Sequence, residues 1–276
     1  MNTMAINFTQ EIKAKIKILN EQINNIQKKS GNKFVIYTAL TNGYDDVVSQ
    51  EIKLDNVDFI FICDSNIKSE FWNVVKTDIS HRDPRRTAKI FKILPHLFLD
   101  RYDTSLWVDA NLLLKSDLSA LIDSFVKGES IITMVDHDKR KCIYHEAKEC
   151  LFWNRDEPNL ISNQIKKYRD YGYPNNNGLI NGRFILRKHN ISQIGSLMSC
   201  WWSEIENNSV RDQISFNYVS WKSGIKYDAI PSDKRDNYIK IIDHKLDINY
   251  GVSFSIFLKL KNIILKFGLM VKRLFE

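Results

Sequence analysis

No two cysteines in this 276-residue chain stand in a CxxC arrangement, so neither a zinc ribbon nor a thioredoxin-type redox motif is expected. The four cysteines fall at positions 63, 142, 150 and 200. Cys63 and Cys200 lie in apolar runs and read as buried free thiols, which points to a reducing, cytosolic compartment. Glycine and proline are sparse, with 10 and 5 copies, and neither a low-complexity linker nor an internal repeat is visible. No stretch of about 18 uncharged apolar residues occurs, so nothing is expected to span a bilayer. The opening MNTMAINFTQEIKAKIKILN scatters charge throughout and holds no apolar core of a secretion signal.

What is present is ordinary for a folded domain: 43% hydrophobic and 26% charged residues argue against disorder. Aromatics are plentiful, with 15 Phe, 11 Tyr and 6 Trp, enough for a packed core and for stacking surfaces. A formal charge of +7 favours anionic partners such as nucleotide diphosphates or acidic headgroups. Nucleic acid is not expected, because the basic residues are dispersed and no reading motif occurs.

Residues 7–29 carry Ile12, Ile16, Leu19, Ile23 and Ile26 at helical spacing, which predicts an amphipathic helix packed on the domain or on a partner, a homodimer included. KFVIYTAL (33–40), VDFIFICD (57–64), SLWVDANLLL (105–114) and IITMVDHD (131–138) are apolar, β-branched runs that end in polar residues and read as strands. Helices are expected over 87–99 and 116–128, through the charged stretch 139–172, and over 191–207 and 211–224, with a late strand at 225–231. Strands alternating with helices predict a mostly parallel α/β sheet, whose ligands lie beyond the carboxyl ends of the strands. Thr38, Asp64, Asp109 and Asp136 stand at or near such ends. One central domain (31–250) is expected, with an N-terminal helix (1–30) and a C-terminal amphipathic helix (251–276).

SLWVDANLLL is the most informative segment. A buried strand normally excludes charge, because an isolated carboxylate in apolar surroundings is costly. If the strand continues through Asp109 and Asn111, both face one side and form a seat for Mg²⁺ or Mn²⁺, with diphosphate oxygens completing the shell. The competing reading is a sharp turn that uses Asp and Asn for their turn propensity. The local pattern does not decide between them. His137, Arg140, His145 and Glu146 form a polar cluster whose HxxxxxxxHE spacing matches no zinc pattern.

The stretch RRTAKIFKILPHLFLDRYDTSLWVDANLLL resembles the donor-site segment of GT-A glycosyltransferases, in which a basic helix leads into an apolar strand ending in D-x-D. With HDKRKCIYHEA, NGLINGRFILRKHN and RDQISF in order, the chain over about 33–245 is most similar to the turgor-regulation-defect and mucilage-related glycosyltransferase-like family. It is more distantly similar to family-eight, glycogenin-like transferases. The resemblance implies a GT-A, Rossmann-like, mixed and mostly parallel sheet flanked by helices. It implies a donor site for a nucleotide-diphosphate sugar, most simply a UDP-sugar, built from Thr38, Asp64, Arg86, Lys89, Lys92, Asp109 and Asn181. Asp109 corresponds to the first acid of D-x-D and Asn111 replaces the second; His244 is the late metal ligand, with Asp243 as a substitute. Asp212 and Gln213 fall where related transferases place residues beside the reacting sugar carbon. There Asp212 is either a general base, if configuration inverts, or part of a pair that orients sugar hydroxyls. His137, Arg140, His145 and Glu146 fall on the acceptor side.

The tail repeats Phe257, Leu260, Ile264, Phe267, Val271 and Leu274 at alternating three and four, with Lys259, Lys266 and Arg273 opposite. That pattern predicts a helix lying in a membrane interface with its basic face toward anionic lipid. The expectation is therefore a glycosyltransferase acting on a lipid-linked glycan in bacterial lipopolysaccharide or capsule synthesis, peripheral on the inner face of the cytoplasmic membrane. The alternatives are a non-catalytic membrane-bound binding protein, or a hydrolase on the same fold.

Overall fold

A computed structural model describes residues 8–26, 33–42, 47–52 and 56–242, with Ile6 and Leu54. The chain opens on helix α1 (Gln10–Asn24), capped by the Thr9 hydroxyl, which accepts from the Ile12 N–H. Ile16, Leu19 and Ile23 of α1 are buried in the domain's own core, which settles the choice between domain and partner for this face. Then follow β1 (Phe34–Leu40), β2 (Val57–Cys63), β3 (Asn73–Lys76), α2 (Pro84–Ile93), β4 (Thr104–Val108) and β5 (Leu112–Leu114). The second half holds α3 (Leu118–Lys127), β6 (Ile132–Asp136), α4 (Ile143–Phe152), α5 (Pro158–Asp170) and β7 (Ile180–Arg187). It closes with α6 (Ser192–Asn207), α7 (Asp212–Ser223), β8 (Asp228–Ile230) and β9 (Ile239–Ile241).

Among the described residues, seven strands form one sheet in the order β3-β2-β1-β4-β7-β6-β8. β7 is antiparallel to both of its neighbours, and the other pairings are parallel. The expected mixed, mostly parallel sheet flanked by helices is therefore what the chain forms. β1 and β2 are buried almost throughout, as strands covered on both faces must be. Two apolar clusters flank the sheet; one, containing Tyr37, Phe91 and Trp201, lies under α1, α2, α4 to α7, and the other, containing Phe61, Leu106 and Phe184, under α3. The carboxyl ends of β1, β2, β4 and β6, and the start of β7, share one edge.

Several sequence expectations shift. The helix expected from residue 87 starts at Pro84, because Asp83 caps it through the Arg85 N–H and proline suits the first turn. It ends at Ile93, before Pro95 opens a single 3-10 turn. The helical stretch 139–172 divides into two helices, broken at 153–157 before Pro158 starts α5. Cys63 is buried, but Cys200 is only half-buried. The run 105–114 is split by the turn into β4 and β5, and strands β3 and β9 were not expected; each of these two is four residues or fewer, too short for an alternation to show. No described helix is long and apolar enough to cross a membrane.

Candidate active site

At the shared edge β4 stops at Val108 and a turn follows: the Asp109 N–H donates to the Arg183 carbonyl, and the Leu112 N–H returns to the Asp109 carbonyl at 3.0 Å. The turn reading of D-A-N is thus the correct one, and the seat of two ligands side by side on a continuing strand is not formed. Asn111 is buried and donates its Nδ2–H to the Ile242 carbonyl at 2.9 Å, while the Ile242 N–H donates to the Asn111 carbonyl. Asp109 remains at the edge, with a third of its side chain accessible. Its Oδ1 accepts from Trp107 Nε1 at 2.9 Å and lies 3.5 Å from Lys92 Nζ.

Helix α2 begins at this edge and runs away from it. Its side chains lean back toward its N-terminus, so Lys89 and Lys92, three apart on one face, reach up to the site. Both converge on Asp212, the first residue of α7, with Nζ to Oδ2 distances of 2.7 and 2.8 Å. The Asp212 Oδ1 accepts from the Gln213 N–H, and Trp201 Nε1 donates to the Asp212 carbonyl. The loop before α7 is held by the buried Asp156 carboxylate, which accepts from the Val210 N–H, the Ser209 hydroxyl and the Arg85 guanidinium.

Burial alone would raise the Asp212 carboxyl, but Lys89 and Lys92 outweigh it and hold the group well below the usual carboxylate range. Burial pulls Lys89 down to about 8, against the attraction of Asp212 and helped by the nearby Lys92. Lys92 is buried too, yet Asp109 and Asp212 together raise it, so its charge is secure. The result is a chain of alternating charges from Asp109 through Lys92 and Asp212 to Lys89. Gly182 of β7 closes one side: a Cβ there would stand 3.2 Å from both Asp212 Oδ2 and Lys92 Nζ.

The remaining sequence-derived residues divide. Asn181 precedes that glycine, and its Oδ1 accepts from the Arg183 N–H. Gln213 donates its Nε2–H to the Ile180 carbonyl, tying α7 to β7. Asp64 follows β2 and accepts from the Asn42 N–H at 2.6 Å. A cavity of about 360 Å³ opens beyond β2 and β3, lined by Asp64, Lys76 and Thr77 and by Lys15, Ile18 and Gln22 of α1. His137, Arg140 and Glu146 do cluster, with Arg140 Nε donating to Glu146 at 2.7 Å and His137 Nε2 lying 3.6 Å from the same carboxylate.

Three expectations need correction. Arg86 does not face the site; its guanidinium donates to Asp83 and to the Ile205 and Asn208 carbonyls, clasping the start of α2 to the end of α6. Thr38 is sealed inside β1 with no accessible surface, two residues short of the strand end, and cannot touch a ligand. His145 lies on the exposed face of α4, away from Glu146, because neighbours one apart on a helix point differently. His244, Asp243 and the tail residues 251–276 lie outside the described residues.

Sequence reasoning missed Trp107, Gly182 and Arg183. Trp107 and Asp109 are two apart on an extended run, so the alternation rule alone places the indole beside the carboxylate. The donor set fits a divalent cation loosely: Asp109 Oδ2 has no partner among the described residues, while the Asn111 amide is buried and turned to Ile242. No group of three or more His, Cys, Asp or Glu side chains is placed to hold a metal among the described residues.

An α/β sheet whose ionic network stands beyond its carboxyl ends, with acid, lysines and amide on separate elements, has its candidate site where ligands of such sheets bind. The chain belongs to the TOD1/MUCI70 glycosyltransferase-like domain family, whose profile matches residues 15–241. It is 26% identical over 213 residues to a probable hexosyltransferase, MUCI70, of Arabidopsis thaliana, a match spanning 73% of this chain and 35% of that protein. This chain therefore spans about a third of the length of that relative. Two solved structures overlap it at 9% identity. The bifunctional glycosyltransferase WbbM has a TM-score of 0.44 over 72% of this chain and 38% of its own. Mouse xyloside xylosyltransferase 1 has 0.41 over 77% and 95%.

Proposed function

We propose that this chain is a glycosyltransferase that moves a sugar, a hexose by analogy with the MUCI70 relative, from a nucleotide-diphosphate donor to a glycan hydroxyl. The observation that carries this reading is the Asp109–Lys92–Asp212–Lys89 network, placed where the family's donor-site motifs fall. The nucleoside end, uridine being the simplest choice, is assigned to the cavity bounded by Asp64 and α1, and the diphosphate to the accessible side of Lys89 and Asp109. The bond between the anomeric carbon and the β-phosphate oxygen breaks, the acceptor oxygen takes its place, and the acceptor proton leaves with the nucleoside diphosphate. Asp212 is a weak proton acceptor while two lysines hold it ionised. Its role is to orient sugar hydroxyls together with Gln213 and Asn181, rather than to act as general base. Mn²⁺ or Mg²⁺ would be held by Asp109, the accessible acid of the D-A-N turn, and would neutralise charge on the departing diphosphate. His137, Arg140 and Glu146 flank the acceptor.

The tail 251–276 suggests an anionic membrane surface and a lipid-linked acceptor, as in bacterial lipopolysaccharide or capsule assembly on the inner face of the cytoplasmic membrane. A thermal-shift screen of nucleoside diphosphates, with and without Mn²⁺, tests the reading on wild type and Asp109→Ala. One nucleotide is expected to raise the wild-type transition, by mass action on the folded state, and Asp109→Ala to lose the metal-dependent part of the shift. A well-folded wild type that no nucleotide stabilises refutes the transferase reading and leaves the membrane-bound binding protein.

A further inference from the structure

Helix α1 has three faces, and the fold accounts for two of them. Ile16, Leu19 and Ile23 are buried in the core, while Lys13, Lys17 and Glu21 are turned to solvent. Lys15, Ile18 and Gln22, spaced three and four apart, share the third face and form one wall of the cavity of about 360 Å³ beside Asp64. Ile18 is 54% exposed, and its apolar surface is turned into this cavity. One turn on, the Gln22 amide has no hydrogen-bond partner among the described residues.

This wall is fixed at both ends. The Asn20 and Asn24 amides donate to the Asp100 carboxylate at 2.7 and 3.1 Å, and the Arg101 guanidinium donates to the Ile23, Asn24 and Ile26 carbonyls. Toward the other end, Lys15 Nζ lies 3.4 Å from the Asp78 carboxylate, just past β3. A helix held in this way needs no ordering when a ligand arrives. Asp64, Lys76, Thr77 and Asp78 line the cavity opposite α1. Its two lysines and two aspartates balance, which suits an uncharged group. Asp64 follows β2 and Asp109 follows β4, with β1 between them, so two strand spacings of about 4.8 Å separate the cavity from the ionic network. An extended nucleoside diphosphate bridges a separation of that order.

We propose that α1 reads the nucleobase of the donor, with the ring lying on Ile18 and its polar edge paired to the Gln22 amide. The two side chains stand about 6 Å apart along the helix, the width of one ring. A flat heterocycle offers Ile18 an apolar face, and a primary amide, with a donor and an acceptor side by side, matches the adjacent N–H and carbonyl of uracil. The inference rests on the transferase reading for the class of ligand. It adds to the donor site a helix that precedes the sheet in the chain, and makes Ile18 and Gln22 specificity-determining residues.

The test is isothermal titration calorimetry of the full chain, in Mg²⁺, with UDP, CDP, ADP and inorganic pyrophosphate, which lacks a base. The wild type is expected to bind UDP more tightly than the other three. Ile18→Ser with Gln22→Ala should weaken UDP roughly tenfold, the loss of one apolar contact and one paired amide, and leave pyrophosphate unchanged. Gln22→Glu, of the same size but without the N–H donors, should also weaken UDP, whereas Ile18→Leu should keep its affinity. Both side chains are exposed, so the double variant should fold, and an unchanged thermal transition of the unliganded protein checks this. UDP affinity that is equal in wild type and double variant overturns the inference and leaves the transferase reading standing. So does a pyrophosphate affinity that matches UDP in the wild type, or that falls as far as UDP in the variant. A wild-type preference for CDP or ADP refutes the Gln22 pairing. Absence of binding by every nucleotide refutes the transferase reading and this inference with it.

Discussion

Replacing Asp212 by Asn preserves shape and deletes one charge, which exposes how the site is balanced. In the wild type two ammonium groups lie 2.7 and 2.8 Å from one carboxylate oxygen, with both partners largely buried. Removing the acid leaves Lys89 and Lys92 facing each other, with only Asp109 at 3.5 Å from Lys92 to compensate. Breaking a buried pair from one side costs about 3–5 kcal/mol. Lys89 limits the damage by giving up its proton, since burial already brings it to about 8. The sign of the pH dependence follows. Below pH 8 wild-type Lys89 is protonated both folded and unfolded, so its contribution is flat. In the variant the folded state has lost that proton, while the unfolded chain keeps it up to about pH 10.4. Stability of the variant therefore rises by about 1.4 kcal/mol per pH unit, and its deficit against wild type narrows by about that amount between pH 6 and 7, and by less between pH 7 and 8 as wild-type Lys89 begins to titrate. Urea unfolding followed by tryptophan fluorescence at pH 6, 7 and 8 measures it. A deficit that is absent, or that stays constant over this range, refutes the account of the network.

Two further outcomes follow from the same geometry. Because Lys89 loses its charge near pH 8, the wild-type KM for donor should climb above that pH, whereas Lys89→Arg, charged throughout, should show no such inflection in a pH profile of initial rates. Gly182→Ala places a methyl 3.2 Å from two groups already pinned by ion pairs; it should lower stability by about 1–3 kcal/mol and weaken the nucleotide-induced shift, both read by calorimetry.

The order of strands and helices was legible because each β-branched run and each helical stripe is local. The pairing of Lys89 and Lys92 with Asp212 was not, since the partners lie more than a hundred residues apart and only the α2–α7 juxtaposition joins them. Arg86 shows the limit of reading a basic run. It shares the run with Lys89 and Lys92 and stands only three residues before Lys89, but in the first turn of α2 it meets the open carbonyls at the end of α6, which capture it. Asp109 was identifiable as a charge in an apolar run, but whether the chain turned after it depended on Ile242, which pairs with Asn111 from the far end of the domain. Short strands such as β3 leave no periodic trace, and the exposed Tyr171 and Trp221 look in sequence like any other core aromatics.

Arg187, fully buried with no carboxylate beside it among the described residues, donates to the Lys92 carbonyl, the Tyr37 hydroxyl and the Met198 sulfur. It sits against the C-terminal end of α2, where the last carbonyls point outward and a cation is favoured. Lys92 is therefore held twice, by its backbone in this buried knot and by its ammonium in the ionic chain above. For anyone re-engineering donor preference, that double anchorage sets the permissible moves. Sliding or rotating α2 would unpick both ends together; on the proposed donor site, new specificity would have to come from exchanging side chains around Asp64 and α1 on a frame left in register.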